Sequence, residues 1–119
     1  MFFFDSYAII ELFAGNPAYA KYASEQIVTS AMNLGEVQYH YLKYGHEQQF
    51  FQVLSQKEVE CLEILPKTVY SAMRLRYENR KKRLSIVDCV GYTLAEENGL
   101  TFLTGDKEFE KMPGVEFVK

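Results

Sequence analysis

Four carboxylates in this chain have the type and placement to do chemistry: Asp5, Glu36, Asp88 and Asp106. Asp5 follows the apolar run Met1–Phe4. Glu36 lies early in the segment after Ile27-Val28-Thr29. Asp88 opens a helical stretch, and Asp106 comes just after the run Leu100–Leu103. Carboxylates gathered this way repel, by of order 1–4 kcal/mol per pair near 4 Å depending on the effective dielectric. A fold that concentrates them needs a cation. Oxygen-only donors suit Mg²⁺ or Mn²⁺ rather than Zn²⁺. Such an ion orients water, lowers its pKa and steadies the charge that develops on a phosphate. The chemistry implied is phosphodiester hydrolysis.

The stretch from Ile86 to Phe109 must position two of the four acids. Ile86, Val87, Val90, Leu94 and Ala95 recur at helical spacing. Ser85 can cap the start of that helix, and Gly99 supplies a left-handed stop. Leu100 to Leu103 then reads as a short buried strand. Helices in an α/β layer begin at the edge where strands end. Asp88, in a first helical turn, and Asp106, just past a strand, therefore meet at the carboxyl edge, where open α/β sheets bind ligands.

The other elements place the remaining acids. Met1–Phe4 is a buried strand ending in Asp5. Tyr7 to Ala14 is a short helix stopped by Gly15, and Asn16-Pro17 forms the N-cap and first position of another through Tyr22. Ile27–Thr29 is the second strand. Ser30 caps a helix to about Tyr44, with Gly45 as its stop. Glu36 lies only about 8–9 Å along that helix, at 1.5 Å per residue, so its side chain can reach back to the same edge. Glu47–Leu54 is a helix, and Cys61–Leu65 is a third strand bounded by Pro66. Val69, Tyr70, Met73 and Tyr77 mark a helix that turns strongly basic. Pro113-Gly114 is a turn before a last strand, Val115–Val118. This alternation implies an α/β fold with a mainly parallel sheet covered on both faces.

Composition bounds the rest. The 119 residues suffice for one compact domain, and a 48% hydrophobic content with 15% aromatics argues against disorder. The net charge of −3 weighs against a protein that coats nucleic acid nonspecifically. Cys61 and Cys89 have no metal-type spacing and read as reduced core residues of a cytosolic protein. The apolar start, Met1 to Ala14, is too short to span a membrane. It lacks a basic flank and is interrupted by Asp5 and Glu11, which argues against a signal peptide.

Four short motifs carry a resemblance: Phe4-Asp5-Ser6, Asn33-Leu-Gly-Glu36, Leu84-Ser-Ile-Val-Asp88, and Leu103-Thr-Gly-Asp106-Lys-Glu-Phe109. Their order and spacing resemble a PIN-domain ribonuclease of the kind found as the toxin in VapBC toxin–antitoxin pairs. The resemblance implies a three-layer α/β/α PIN-like fold over residues 1–119 and Mg²⁺- or Mn²⁺-dependent endonuclease action on RNA. It further implies homodimerisation and inhibition by a cognate antitoxin; with the cysteine and N-terminal readings above, the expectation is a cytoplasmic protein with no membrane partner. On that match Asp5, Glu36, Asp88 and Asp106 are catalytic metal ligands, with Ser6 and Thr104 as helpers. Many relatives carry a further aspartate two positions after the last acid. Here it is Glu108, a supporting group or a ligand of a second metal.

Six of the thirteen Lys and Arg residues are Arg74, Arg76, Arg80, Lys81, Lys82 and Arg83. They form either a solvated helix end favoured by the dipole or a guide for RNA phosphates, by counterion release. Glu11, Glu96 and Glu97 read as solvated helix faces, and His46 as a turn residue. His40, one turn after Glu36, is a polar helix position or a flank of the site. Tyr39, Tyr41 and Tyr44 read as core or dimer surface. Three other classes remain open: a noncatalytic PIN-like module that binds RNA or protein, a phosphoacceptor α/β domain, and a nuclease acting on DNA. A phosphatase of the Asp-x-Asp type would need a second aspartate, where Tyr7 stands.

Overall fold

A computed structural model describes residues 1–119. Its five strands are β1 (Phe2–Phe4), β2 (Ile27–Thr29), β3 (Val59–Cys61), β4 (Thr101–Thr104) and β5 (Val115–Phe117). They form one sheet in the order β3-β2-β1-β4-β5, with every pairing parallel. The five helices are α1 (Ser6–Phe13), α2 (Ala31–Lys43), α3 (Glu47–Leu54), α4 (Pro66–Glu78) and α5 (Ile86–Glu97). Short 3₁₀ turns occupy Pro17–Tyr22 and Lys107–Phe109. The expected three-layer α/β/α fold is the observed one.

Alternation along the central strands divides the core. Phe3 and Phe102 point to one face, where they stack with ring centroids 5.8 Å apart and pack with α4 and α5 residues Ala72, Cys89, Val90 and Leu94. Phe4 and Leu103 point to the other face and pack with Ile9, Tyr19, Val37 and Phe50 from α1, the first 3₁₀ turn, α2 and α3. Side chains one residue apart on a strand face opposite ways, so three phenylalanines in a row serve both layers.

Local signals set most boundaries. Ser85 accepts from Asp88 N while the Asp88 carboxylate accepts from Ser85 N, which closes a reciprocal capping box on α5. Gly99 takes φ +65° between α5 and β4, the left-handed conformation that reverses the chain. Asn16 caps the turn opened by Pro17 as expected, but the segment is 3₁₀ rather than α.

Three expectations need correction. The third strand is Val59–Cys61, not Cys61–Leu65: Ile27, Val28 and Thr29 pair with Val59, Glu60 and Cys61. The apolar signal of the later residues has another use, since Leu62 and Ile64 pack on the α4–α5 side of the core after the edge strand has ended. Cys61 is exposed and only Cys89 is buried, because the edge position leaves Cys61 uncovered. The basic run is not one helix end. α4 stops at Glu78, and Arg80–Arg83 lie in the connection to α5.

The turn after β4 depends on a missing side chain. A Cβ on Gly105 would stand 2.3 Å from the Tyr7 ring and 2.4 Å from the Val118 carbonyl oxygen. Gly105→Ala must push apart α1 and the chain end, and overpacking of this kind costs about 1–3 kcal/mol. Urea unfolding should show a loss at the upper end of that range; a change under about 0.5 kcal/mol would contradict the packing argument.

Candidate functional site

All four acids occupy the carboxyl end of the sheet. Asp5 is the N-cap of α1, directly after central strand β1. Glu36 lies in the second turn of α2, and Asp88 in the first turn of α5. Asp106 caps the 3₁₀ turn that follows β4. Their charges are coupled: Asp5 feels Asp88 and Glu36, and Asp88 feels Asp106 and Glu36.

Each carboxylate has one oxygen held by a protein donor. The Thr104 hydroxyl donates to Asp5 Oδ2 at 2.7 Å. The Ser6 hydroxyl donates to Glu36 Oε1 at 2.6 Å. Ser85 N donates to Asp88 Oδ2 at 2.8 Å, and Glu108 N to Asp106 Oδ1 at 3.0 Å. The second oxygen of each acid remains for a ligand. This is plainest at Asp5, where Oδ1 is buried and has no hydrogen-bond partner. Buried polar atoms are rarely left unpaired, so the orphaned oxygen fits a site that takes a cation. The donor set is all oxygen, which suits Mg²⁺ or Mn²⁺. As the side chains stand, no three of the chain's His, Cys, Asp or Glu residues close up into a ligand shell. Four like charges without compensation favour that spread.

Burial and repulsion shift two of the acids. Asp5 is 3% exposed. Loss of water pushes its carboxyl up, the Thr104 hydrogen bond opposes this, and the Asp88 and Glu36 charges add to the rise; the net position is about 7. Burial likewise raises Asp88. Its bond from Ser85 N opposes the shift, and Asp106 and Glu36 reinforce it.

A network under the acids was not legible beforehand. Asn33, fully buried, donates from Nδ2 to Ser6 Oγ at 2.9 Å and accepts at Oδ1 from Ser30 Oγ at 2.6 Å. It thereby aims the hydroxyl that holds Glu36. The one available signal was a polar residue a single turn before Glu36 on the apolar side of α2. The Thr29 hydroxyl donates to the Phe4 carbonyl at 2.8 Å and so joins the ends of β1 and β2.

Other candidates fall outside the cluster. His40 packs against the rings of Tyr41 and Tyr44 rather than joining the acids. Tyr39 and Tyr44 are exposed, whereas Tyr41 packs on the α1–α3 core. Glu108 turns toward the basic connection: its Oε1 accepts from Arg83 N at 3.3 Å and its carbonyl from Lys82 Nζ at 3.3 Å.

An all-parallel five-stranded sheet with four coupled acids at its strand ends defines an α/β protein built around an acidic site. Residues 2–115 match the family model described as PIN domain, and the chain belongs to that family. The structure is similar to a toxin–antitoxin complex from Klebsiella pneumoniae, at 27% identity and a TM-score of 0.75, over 98% of this chain and 96% of that one. It also shares its fold with VapC20 from Mycobacterium tuberculosis, described as a sarcin-ricin loop cleaving toxin: 17% identity, TM-score 0.81, all of both chains. A third similar structure is VapBC2 from Rickettsia felis bound to a DNA fragment from their promoter. Identity there is 18% and the TM-score 0.78, over 99% of this chain and 98% of that one. No curated protein sequence matches the chain. No helix is long and apolar enough to cross a membrane.

The raised Asp5 position has a consequence for stability. With the folded group near 7 and the ordinary value at 3.8, the folded state holds a proton that the unfolded chain has lost. Stability of the metal-free protein therefore falls as pH rises from about 4 to about 7, by up to about 4 kcal/mol. Asp5→Asn has no such proton to lose. In EDTA its urea midpoint should exceed that of the parent at pH 8, and the advantage should disappear at pH 4. An equal offset at both pH values would contradict the shift.

Proposed function

We propose that this chain hydrolyses RNA phosphodiester bonds as a divalent-metal-dependent endoribonuclease, the toxin of a toxin–antitoxin pair. The observation that carries the reading is the set of four carboxylates at one sheet edge, each with one oxygen tied to the protein and one left over. Membership of the PIN family supports the nuclease class. The similar structures from toxin–antitoxin systems support the biological role.

Asp5, Glu36, Asp88 and Asp106 would hold Mg²⁺ or Mn²⁺. Such a cation lowers the pKa of water and offsets the charge that develops on a phosphate. The chain's own part is positioning. Thr104 holds Asp5 by Oδ2 and leaves Oδ1 without a protein partner. Ser6, backed by Asn33, fixes the Glu36 carboxylate. Ser85 does the same for Asp88 through the capping box. This reading needs no histidine or lysine as a base. The phosphoacceptor alternative is disfavoured by Asp5, whose 3% exposure leaves little room for attack on a phosphodonor.

The same reading includes a cognate antitoxin and a second copy of the chain as partners. Exposed apolar side chains at the end of α2 and on α3, including Leu42, the C-cap Tyr44 and Phe51, are candidate surface for one of them.

Asp5→Asn and Asp88→Asn should each lower cleavage of labelled RNA in Mg²⁺ by at least about a hundredfold, the scale on which such groups act, with the fold retained by circular dichroism. Cleavage should stop in EDTA and return with Mn²⁺. Activity kept in both purified variants would remove the acids from the mechanism. Activity that persists in EDTA would remove the cation.

A further inference from the structure

The last turn of α4 and the connection to α5 enclose a cavity of about 380 Å³ lined by Met73, Arg76, Tyr77, Arg80, Lys82 and Leu84. It lies apart from the acids but is joined to them. Glu108 N donates to Asp106 Oδ1, while its side chain accepts from Arg83 N and its carbonyl from Nζ of Lys82, which lines the cavity. The cavity thus borders the acidic edge through a single bracketing residue.

Its chemistry is specific. The Arg80 guanidinium lies 4.4 Å from the centre of the Tyr77 ring, and its Nη1 donates to the Tyr77 carbonyl at 2.9 Å. Those two contacts hold a planar cation and an aromatic ring together before any ligand arrives. Arg76 Nε donates to the Leu84 carbonyl at 3.1 Å, which directs its remaining N–H groups outward. The partners of Arg76, Arg80 and Lys82 are backbone carbonyls, so their positive charge stays available to an anion. Tyr77 is 66% exposed, so a face or edge of its ring is open to a flat ligand. Unpaired bases stack on aromatic rings and arginine planes, and phosphates take cations. A cavity of this size is at the low end for small-ligand clefts. That volume has the scale of one small flat ligand, and RNA presents such groups singly where its bases are unpaired.

We propose that this cavity is a nucleotide-binding subsite for single-stranded RNA. Tyr77 and Arg80 stack the base of a nucleotide flanking the cut, and Arg76 and Lys82 take its phosphate. Glu108 is the positioning residue that sets this subsite against Asp106. The proposal rests on the ribonuclease reading for its biological meaning, but the binding it describes is separate from cleavage.

The test uses the full chain carrying Asp88→Asn, in EDTA, with a fluorescein-labelled twelve-nucleotide RNA as a single strand and as a duplex. Anisotropy titrations compare added Tyr77→Ala, Tyr77→Phe and Arg80→Ala. Both alanine variants should weaken single-strand binding about tenfold, the scale of one stacked base. Tyr77→Phe should retain binding, and duplex binding should change less than threefold. Thermal melts should stay unchanged, because both side chains are exposed. Unchanged single-strand affinity in Tyr77→Ala and Arg80→Ala would overturn the subsite. So would an equal loss for duplex, which marks a merely charged surface. An acidic decapeptide that binds in a Tyr77-dependent way where RNA does not would assign the cavity to a protein partner and overturn it too. If Tyr77-dependent RNA binding holds but the parent chain cleaves no RNA, the ribonuclease reading fails and the subsite stands. If the parent cleaves and Tyr77→Ala binds normally, the subsite fails alone.

Discussion

The structure turns on a carboxylate at the end of the central strand. Phe3 and Phe4 are fully buried, and β1 runs between β2 and β4. Asp5 follows at once, so its side chain leaves water almost completely. An ion in that position carries a desolvation cost of several kcal/mol after relaxation. One hydroxyl, from Thr104, offsets part of it. The N-terminus of α1, which Asp5 itself caps, offsets more through its partial positive charge. The remainder appears as the raised carboxyl, a site held ready for positive charge.

The neighbouring acids are placed by the same geometry. In a parallel sheet with crossover helices, every helix that returns after a strand begins near the strand ends. α2 follows β2, and α5, the second helix of its crossover, runs back into the start of β4; both therefore begin at the edge where Asp5 lies and bring Glu36 and Asp88 to it. Small polar residues complete the arrangement: Ser6, Ser85 and Thr104 each hold a carboxylate, Asn33 holds Ser6, and Ser30 holds Asn33. They are short side chains that fit a crowded edge, and a satisfied polar network of this kind is rigid. Rigidity matters here because four acids without their supports would turn outward to water.

Charge is segregated over the molecule. The acids occupy the strand ends, and nearly half of the chain's basic residues lie in the segment from Arg74 to Arg83. A net charge of −3 conceals this division. Glu108 stands on the border, bonded to the acidic turn through its backbone and to the basic connection through its side chain. The arm of Glu108 is long enough to reach Arg83 N.

By itself, the sequence determined the element order and the common edge of the acids. Both follow from local rules. Ser85 and Gly99 bound a helix by capping and by a left-handed turn, and once strands and helices alternate, their directions dictate which ends coincide. The third strand escaped such reasoning, because Leu62 and Ile64 have an apolar pattern that suits a strand and a packed loop equally well; contact with the α4–α5 core decided between them. Tertiary structure also decided which oxygen of each acid is held. Thr104 meets Asp5 across 99 positions of chain, and Asn33 meets Ser6 across 27. Those bonds depend on the pairing of β1 with β4 and the docking of α2 on α1. Residues brought together by the sheet carry no mark of their partnership in local spacing: Ser6 and Thr104 were named only through the family resemblance, and the place of Asn33 between Ser30 and Ser6 came from the fold alone.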